Sequence, residues 1–341
     1  MKNWQTFSIR SNSRTVKVFG FLILLTVLAA LASICFGPVF VSPALLPKIL
    51  LGQLTGTTQA NIVLLARLPR TAGCLLAGMA LAVSGAVIQS VLHNPLAAPN
   101  IIGVNSGAGL MVVLVGAVAP YALWLTPLAA FFGALVGVLV VLFIAEHTGA
   151  SRITLVLAGV AVSNIFSAGI DAVITFFPDA VLGYSDFRIG GLTNLSFDKL
   201  RPAFWVILVA MILLLSLTSE LDILALGSDT ARSLGLPVKQ LRLLFLALAA
   251  ALAGAAVSFC GLLGFVGLIV PHIMRRCIGE DSRPLLLSCA LGGAALLTLC
   301  DLAARLLFAP FEVPVGIVLS LAGGPFFIWL LLRQRGGRIH D

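Results

Sequence analysis

Apolar residues run along this chain in blocks, and each block ends at a charge, a proline or a glycine pair. Ten blocks stand out, at 18–36, 67–93, 101–119, 122–145, 153–176, 203–218, 242–261, 264–277, 285–303 and 314–332. Most approach the ~20 residues that a helix needs to cross the hydrocarbon layer, so the pattern predicts an all-α polytopic membrane protein of about ten transmembrane helices. The block at 264–277 is short for a full span, which predicts a tilted or broken helix. Residues 37–66 carry Pro38, Pro43 and Pro47 and predict an outer loop that returns to the bilayer at Arg67. Residues 178–202, with Gly190-Gly191, predict a second outer segment holding a short surface helix. We read 1–341 as one membrane domain, with 1–17 cytoplasmic and the polar stretch 219–241 as a large cytoplasmic loop.

The block opened by Arg67-Leu68-Pro69-Arg70 is rich in small residues, Ala77, Gly78, Ala80, Ala82, Ser84 and Gly85, as in helices that pack closely inside membranes. It stops at His93-Asn94-Pro95, where asparagine and the fixed φ of proline break the helix. The next block starts beyond Pro99, with Gly103 near its beginning, and Pro271 is grouped with these as a break or packing position. The two halves echo each other: Leu76-Ala77-Gly78-x-Ala80 with Gly85 matches Leu252-Ala253-Gly254-x-Ala256 with Gly261 at the same spacing. The first copy runs inward and the second outward, the signature of an inverted internal repeat. Chance likeness between Ala- and Gly-rich helices is the alternative.

Composition narrows the class. A chain 60% hydrophobic and 10% charged, with mean hydropathy +1.12, cannot hide its apolar surface in one soluble core. The net charge of +8 points to topology, not nucleic acid, because the basic residues sit at block ends without interleaved aromatics. The ten-helix arrangement puts fourteen of the 21 Lys and Arg inside, which predicts both termini in the cytoplasm. Ala30-Leu31-Ala32 mimics a signal cleavage site, but the apolar run continues past it, so an uncleaved first helix is expected. Six cysteines without CxxC spacing and four scattered histidines predict no disulfide and no metal site. No GxxxxGK[ST] loop occurs, so ATP would be bound by a partner and no cofactor is expected in this chain. Asp171 and Asp301 are the acids well inside proposed spans; both lie near outer ends, which leaves a proton-coupled secondary transporter without an evident relay.

The order RLPR, small-residue helix, Gln89, HNPLAAP and Gly103 is similar to the membrane permease of ABC importers for iron-siderophores, haem and cobalamin. GFVGLIVPHIMRRCIGEDSR (264–283), the stretch 301–305, PFEVPVG (310–316) and GGPFF (323–327) extend the resemblance over most of the chain from Arg67 onward. Ala98 and the segment 187–192 depart from the family pattern. The resemblance implies a permease that takes an iron-siderophore-type chelate, or haem or cobalamin, from an extracytoplasmic binding protein across the cytoplasmic membrane. It implies two permease copies, or one with a homologue, and two cytoplasmic ATPase subunits. It makes 219–241 the ATPase-coupling loop, with Leu226, Gly227, Asp229, Ala231, Arg232, Leu234 and Gly235 in its docking helices. Ala231 and Gly235, four apart on one helical face, favour close approach by a partner; an ordinary solvated helix is the alternative. Arg67, Arg70 and Arg305 would ring the outer mouth and meet acidic residues of the binding protein. Against that, Arg305 could pair with Asp301 four residues earlier, and the other two could snorkel to lipid headgroups. Ala150, Ser151 and Arg152 match the family's cytoplasmic gate loosely.

Overall fold

The computed structural model describes residues 13–335 apart from 55, 123, 148–151, 194, 308 and 310. Helix α1 (Ser13–Cys35) leads through a 3-10 turn to the short α2 (Leu46–Leu50) and α3 (Thr58–Asn61). A π-helical turn, Ile62–Arg67, runs on into α4 (Leu68–Leu92), and α5 (Val104–Val118), α6 (Leu125–His147) and α7 (Arg152–Phe176) follow. The short α8 (Ala180–Ile189) precedes α9 (Phe197–Ser216), and then come α10 (Thr218–Ala225) and α11 (Ser228–Ser233). The last four are α12 (Val238–Cys260), α13 (Val266–Ile278), α14 (Ser282–Leu306) and α15 (Val315–Arg335). Among the described residues there is no strand, and seven helices are long and apolar enough to cross a membrane. With α5, α13 and α15, each of the ten predicted blocks falls on one helix.

The core is built around α4, in which every residue from Ala80 to Leu92 is buried. It packs against α14, α12 and α13, while α12 packs in turn against α6 and α9. In hydrocarbon there is no water to drive two apolar faces together, so close backbone approach through small residues does the work. Gly78 shows this: a Cβ there would land on the Gly293 carbonyl of α14, and one at Gly85 on the Gly267 carbonyl of α13.

The repeat is visible in the packing. α4 lies against α14 and α12 against α6, so each half's central helix packs on the third helix of the other half. The echoed glycines sit at these crossings, Gly78 at Gly293 and Gly254 at Phe131 and Ala134. Within each half, α5–α6–α7 touch pairwise as α13–α14–α15 do.

Three boundaries differ from the sequence expectation. Helix does not begin at Arg67; it runs continuously from Thr58, where Thr57 Oγ1 accepts the Ala60 N–H at 3.3 Å. Pro69 is tolerated because the π turn precedes it: the Leu68 N–H bonds to the Val63 carbonyl, and the proline falls in the first turn of α4. α9 starts at Phe197 and carries Pro202 inside it, and α12 starts at Val238, so Lys239 lies on that helix. Pro271 does not break the chain but sits buried within α13. Its missing N–H frees the Gly267 carbonyl four residues back, which accepts from Gln89 Nε2 at 3.1 Å.

Gly78→Leu is expected to lower stability by at least about 1–3 kcal/mol through overpacking, read as an earlier thermal midpoint in detergent. Gly20→Leu on α1, where nothing lies within 4 Å of a Cβ, should leave the midpoint in place. Equal midpoints for the two variants would remove this crossing from the list of contacts that hold the core.

Candidate functional site

The three arginines expected at an open mouth converge instead on the end of α1 and on one acid. Arg67 and Arg305 are 6% and 3% exposed, so they do not ring an opening. Asp301 is fully buried and takes Arg70 through Nε at 3.0 and 3.1 Å and through the guanidinium at 2.9 Å. Arg305, one turn on, meets the same carboxylate at 3.1 Å. The last turn of α1 leaves carbonyls without intrahelical partners, and the arginines cap them. Arg67 donates to Ile34 O and Cys35 O, each at 2.8 Å, and to Val39 O. Arg305 donates to Ser33 O at 3.2 Å and Ser33 Oγ at 2.7 Å, and Ser33 Oγ also bonds Thr71 Oγ1 at 2.8 Å. Cations at a helix C-terminus also offset the negative end of its dipole. Only Arg70 reaches outward, to the partly exposed Glu312 at 2.6 Å.

At the break after α4, His93 takes a left-handed conformation (φ 48°) and Asn94 Oδ1 accepts the Leu96 N–H at 2.9 Å, a local turn that stops the helix. Pro95 and Pro99 occupy the connection, and Gly103 caps α5 at φ 86°.

Beside this connection lies a cleft of about 470 Å³ between α5, α7 and α8, with a largely polar lining. Ser163, Ser167 and Asp171 line it from α7, each four residues after the last, and Ser106 of α5 bonds Ser163 at 3.2 Å. Tyr184 and Arg188 close it from α8. Burial pushes the Tyr184 hydroxyl above the usual phenol range, with Arg188 pulling it down and Asp171 adding to the rise, so it stays protonated. This stripe escaped the sequence reading, although its i, i+4, i+8 spacing on an apolar helix is a legible sign of a wetted face. The C-terminal end of α8 is stitched in place: Gly191 N–H bonds Cys260 O and Leu262 N–H bonds Phe187 O, both at 2.9 Å.

On the opposite side, α10 and α11 form a compact bracket. Asp222 Oδ1 accepts the Ser282 N–H at 2.8 Å, holding α10 to the start of α14, and Arg242 donates to Ser228 Oγ at 3.0 Å. Ala231, expected to face a partner, is fully buried, because α11 presses it inward against the helical body. Leu226 and Leu234 are the outward apolar residues, 67% and 61% exposed. Gly227 (φ 117°) and Gly235 (φ 83°) flank α11 in conformations that side chains disfavour, which lets the chain reverse on both sides of a six-residue helix. Asp229 and Arg232 face water 3.9 Å apart, a separation at which an exposed pair adds little. Ala150 and Ser151 lie outside the described residues, and Arg152 opens α7. Among the described residues, no three His, Cys, Asp or Glu side chains gather as a metal site.

The model of the FecCD transport family matches residues 24–333. The chain is 39% identical over 331 residues to the hemin transport system permease protein HmuU of Yersinia pestis, covering 94% of this chain and 97% of that one. It is 37% identical over 342 residues to the vitamin B12 import system permease protein BtuC of Citrobacter koseri, covering 98% and 100%. Among solved structures, it superposes with a TM-score of 0.81 and 29% identity on an inward-facing metal-chelate-type ABC transporter, over 93% of this chain and 99% of that one. PsaBC from Streptococcus pneumoniae shares the fold at 18% identity, with a TM-score of 0.56 over 83% of this chain and 94% of that one. Matched from end to end by permease subunits, and itself a multi-pass helical bundle, the chain belongs to the FecCD transport family of ABC-importer permeases.

Proposed function

We propose that this chain is the membrane-spanning subunit of an ATP-driven importer that moves an iron-siderophore-type chelate from an extracytoplasmic binding protein across the cytoplasmic membrane. The observation that carries the proposal is the polar stripe Ser163, Ser167 and Asp171 facing a cleft of about 470 Å³ whose lining also holds Asn100, Asn105, Ser106, Tyr184 and Arg188. Polar groups at membrane depth mark a water-filled route, and a cleft of this size suits a bulky polar cargo. Haem and cobalamin form the second reading, favoured by the names of the two relatives above.

On this reading one chain supplies half of the pathway. Helix α7 carries the stripe and also presents Leu157, Val160 and Ile165 to the outside, 50–66% exposed. A second permease copy, or a close homologue, would cover this face about a two-fold axis and bring two clefts together. We assign the inner closure of that route to residues 150–152 and place both termini in the cytoplasm, as the charge distribution favours. Two ATPase subunits would dock on Leu226 and Leu234, whose exposure beside a polar loop fits a helix laid into a groove. The binding protein would meet the rim at Arg70 and Glu312, where the arginine cluster reaches water. Proteoliposomes holding the permease, its ATPase and its receptor would decide the cargo by ATP-dependent uptake of ferric siderophore, hemin or cobalamin. Uptake of none of the three would overturn the reading.

Leu226→Glu with Leu234→Glu is expected to cut receptor-stimulated ATP hydrolysis and uptake at least about tenfold, since two charges would enter an apolar groove. Both positions are exposed, so membrane insertion and thermal midpoint should hold. Normal uptake in the double variant would place the coupling surface elsewhere.

Asp301→Asn leaves two guanidinium groups facing a neutral amide, and removing one partner of a buried pair costs about 3–5 kcal/mol. A lower thermal midpoint in detergent is therefore expected. Glu312→Gln, at a side chain 33% exposed, should shift stability by less than about 1 kcal/mol while weakening receptor binding at low salt. An unchanged receptor affinity in Glu312→Gln would move the docking rim away from Arg70.

A further inference from the structure

A groove of about 450 Å³ runs between the first turns of α1 and the last turns of α13. Val18 and Phe21 of α1 and Ile273 and Cys277 of α13 line its apolar part, and Arg14 and Lys17 line the end at the start of α1. Positions 14, 17, 18 and 21 share one helical face, so the cations and the apolar side chains lie along a single line. Arg14 Nη2 donates to Arg276 O at 3.3 Å, which ties the start of α1 to the last turn of α13. Arg276 is a further exposed cation on that turn.

These cations are not balanced by carboxylates. No Asp or Glu precedes Glu146 in the chain, so α1 and the residues before it bring no acid, and α15 has none either. Glu280 and Asp281 follow α13, yet among the described residues no carboxylate pairs with Arg14, Lys17 or Arg276. Glu146 ends a helix, α6, that packs on α5, α12 and α7, and Asp341 lies outside the described residues. The partner that Arg14 does have is a helix-end carbonyl, and a whole helix C-terminus carries only about half a negative charge. Three cations face that half charge.

The two ends together select an occupant. From Arg14 to Phe21 the helix rises seven residues, about 10 Å, so the groove lies within one leaflet of a ~30 Å hydrocarbon layer. Phe21, Leu24 and Leu28 are 54–62% exposed on α1, as expected of a helix standing in hydrocarbon, and an acyl chain is what fills a groove at that depth. A neutral tail needs no cation, and a zwitterionic headgroup brings its own positive charge into the same space. An anionic headgroup fits, as in other basic pockets between transmembrane helices. We propose that this groove holds one anionic phospholipid of the cytoplasmic leaflet, an acyl chain along Val18, Phe21 and Ile273 and the phosphate at Arg14 and Lys17. The lipid would wedge between α1 and the helix that Gln89 and Arg275 bond to α4. The sidedness rests on the importer reading above; the binding itself does not.

Native mass spectrometry of the full-length chain, purified without ATPase or cargo and stripped stepwise of lipid, tests this with phosphatidylglycerol and phosphatidylethanolamine as probes. Phosphatidylglycerol should be retained in preference, and Lys17→Gln should weaken retention of one such lipid per chain by about fivefold, the effect of one basic side chain at an anionic surface. Lys17→Arg should restore it, and Lys48→Gln, at an exposed cation on α2, should leave it unchanged. Asp341→Asn should leave it unchanged too; tighter retention in that variant would make the C-terminal tail the partner of these cations and overturn the proposal. Equal retention of the two lipids, or a Lys17→Gln chain that holds phosphatidylglycerol as tightly as the parent, overturns it as well. A chain that retains the lipid selectively yet carries no chelate leaves this site standing and removes the importer reading alone.

Discussion

The contact on which the architecture depends is backbone against backbone, at the crossings of α4 with α14 and α13. Inside lipid every peptide group must be satisfied within its own helix, and association between helices has to come from packing. Gly78 against Gly293 and Gly85 against Gly267 bring two crossings closer than any side chain permits. The same device recurs in the first half, where Gly107 meets the Gly133 carbonyl and joins α5 to α6. A bundle closed at these points leaves little room for polar groups in its core, so the polar groups that remain are concentrated where the backbone is interrupted.

Each interruption is matched by a side chain. Pro271 removes one N–H from α13, and the carbonyl it frees is taken by Gln89 from α4. Arg275, one turn beyond the proline, donates to Ala86 O at 3.2 Å and Ser90 Oγ at 2.9 Å, so α13 is pinned to α4 at two points. The end of α1 exposes carbonyls that its own last turn has no basic residue to cap, and Arg67 and Arg305 supply the cations from two other helices. Asp301 then bridges Arg305 and Arg70, and Glu312 also takes Arg70, so three cations meet two acids. What looked in the sequence like a charged mouth is a largely buried joint between α1, α4 and α14.

The physical reason for that difference also explains what could be read from sequence. Apolar run length is a local property fixed by bilayer thickness, so all ten blocks and the Asn94-Pro95 break were legible, and the LAGxA echo marked crossings that the fold does pair between halves. The partner of a charge is a long-range property. Arg70 and Asp301 are 231 residues apart in the chain, and nothing local separates a guanidinium aimed at water from one aimed at a buried carboxylate. Ala231 failed for a related reason, because smallness suits both a partner's approach and burial beneath a short helix. The helical turns from Thr58 that lead into α4 were missed because a π turn lets the helix pass Pro69, where the sequence rule expects an end. The Ser163, Ser167 and Asp171 stripe was legible by its spacing, although the sequence reading passed over it.

Helix α14 brings these parts into one frame. Its first residue, Ser282, is held by Asp222 of the α10–α11 bracket, and its far end holds Asp301 and Arg305 of the arginine joint. Twenty-five residues separate the two ends, about 37 Å along the axis, enough to cross the hydrocarbon layer. Its middle is locked to α4 by the Gly78 crossing, so it cannot slide without opening the core. A displacement of α10 is therefore resisted along a continuous line that reaches the rim where Arg70 meets Glu312. The two faces on which soluble partners are proposed to act are joined by a single stiff element, and the polar cleft lies to one side of it, on the α5–α7–α8 group. Helices α5 and α7 make their main contacts with one another and with α6 and α8, not with α14. That division puts close packing on the α4–α14 axis and leaves the helices that line the polar cleft tied mainly to one another and to α6.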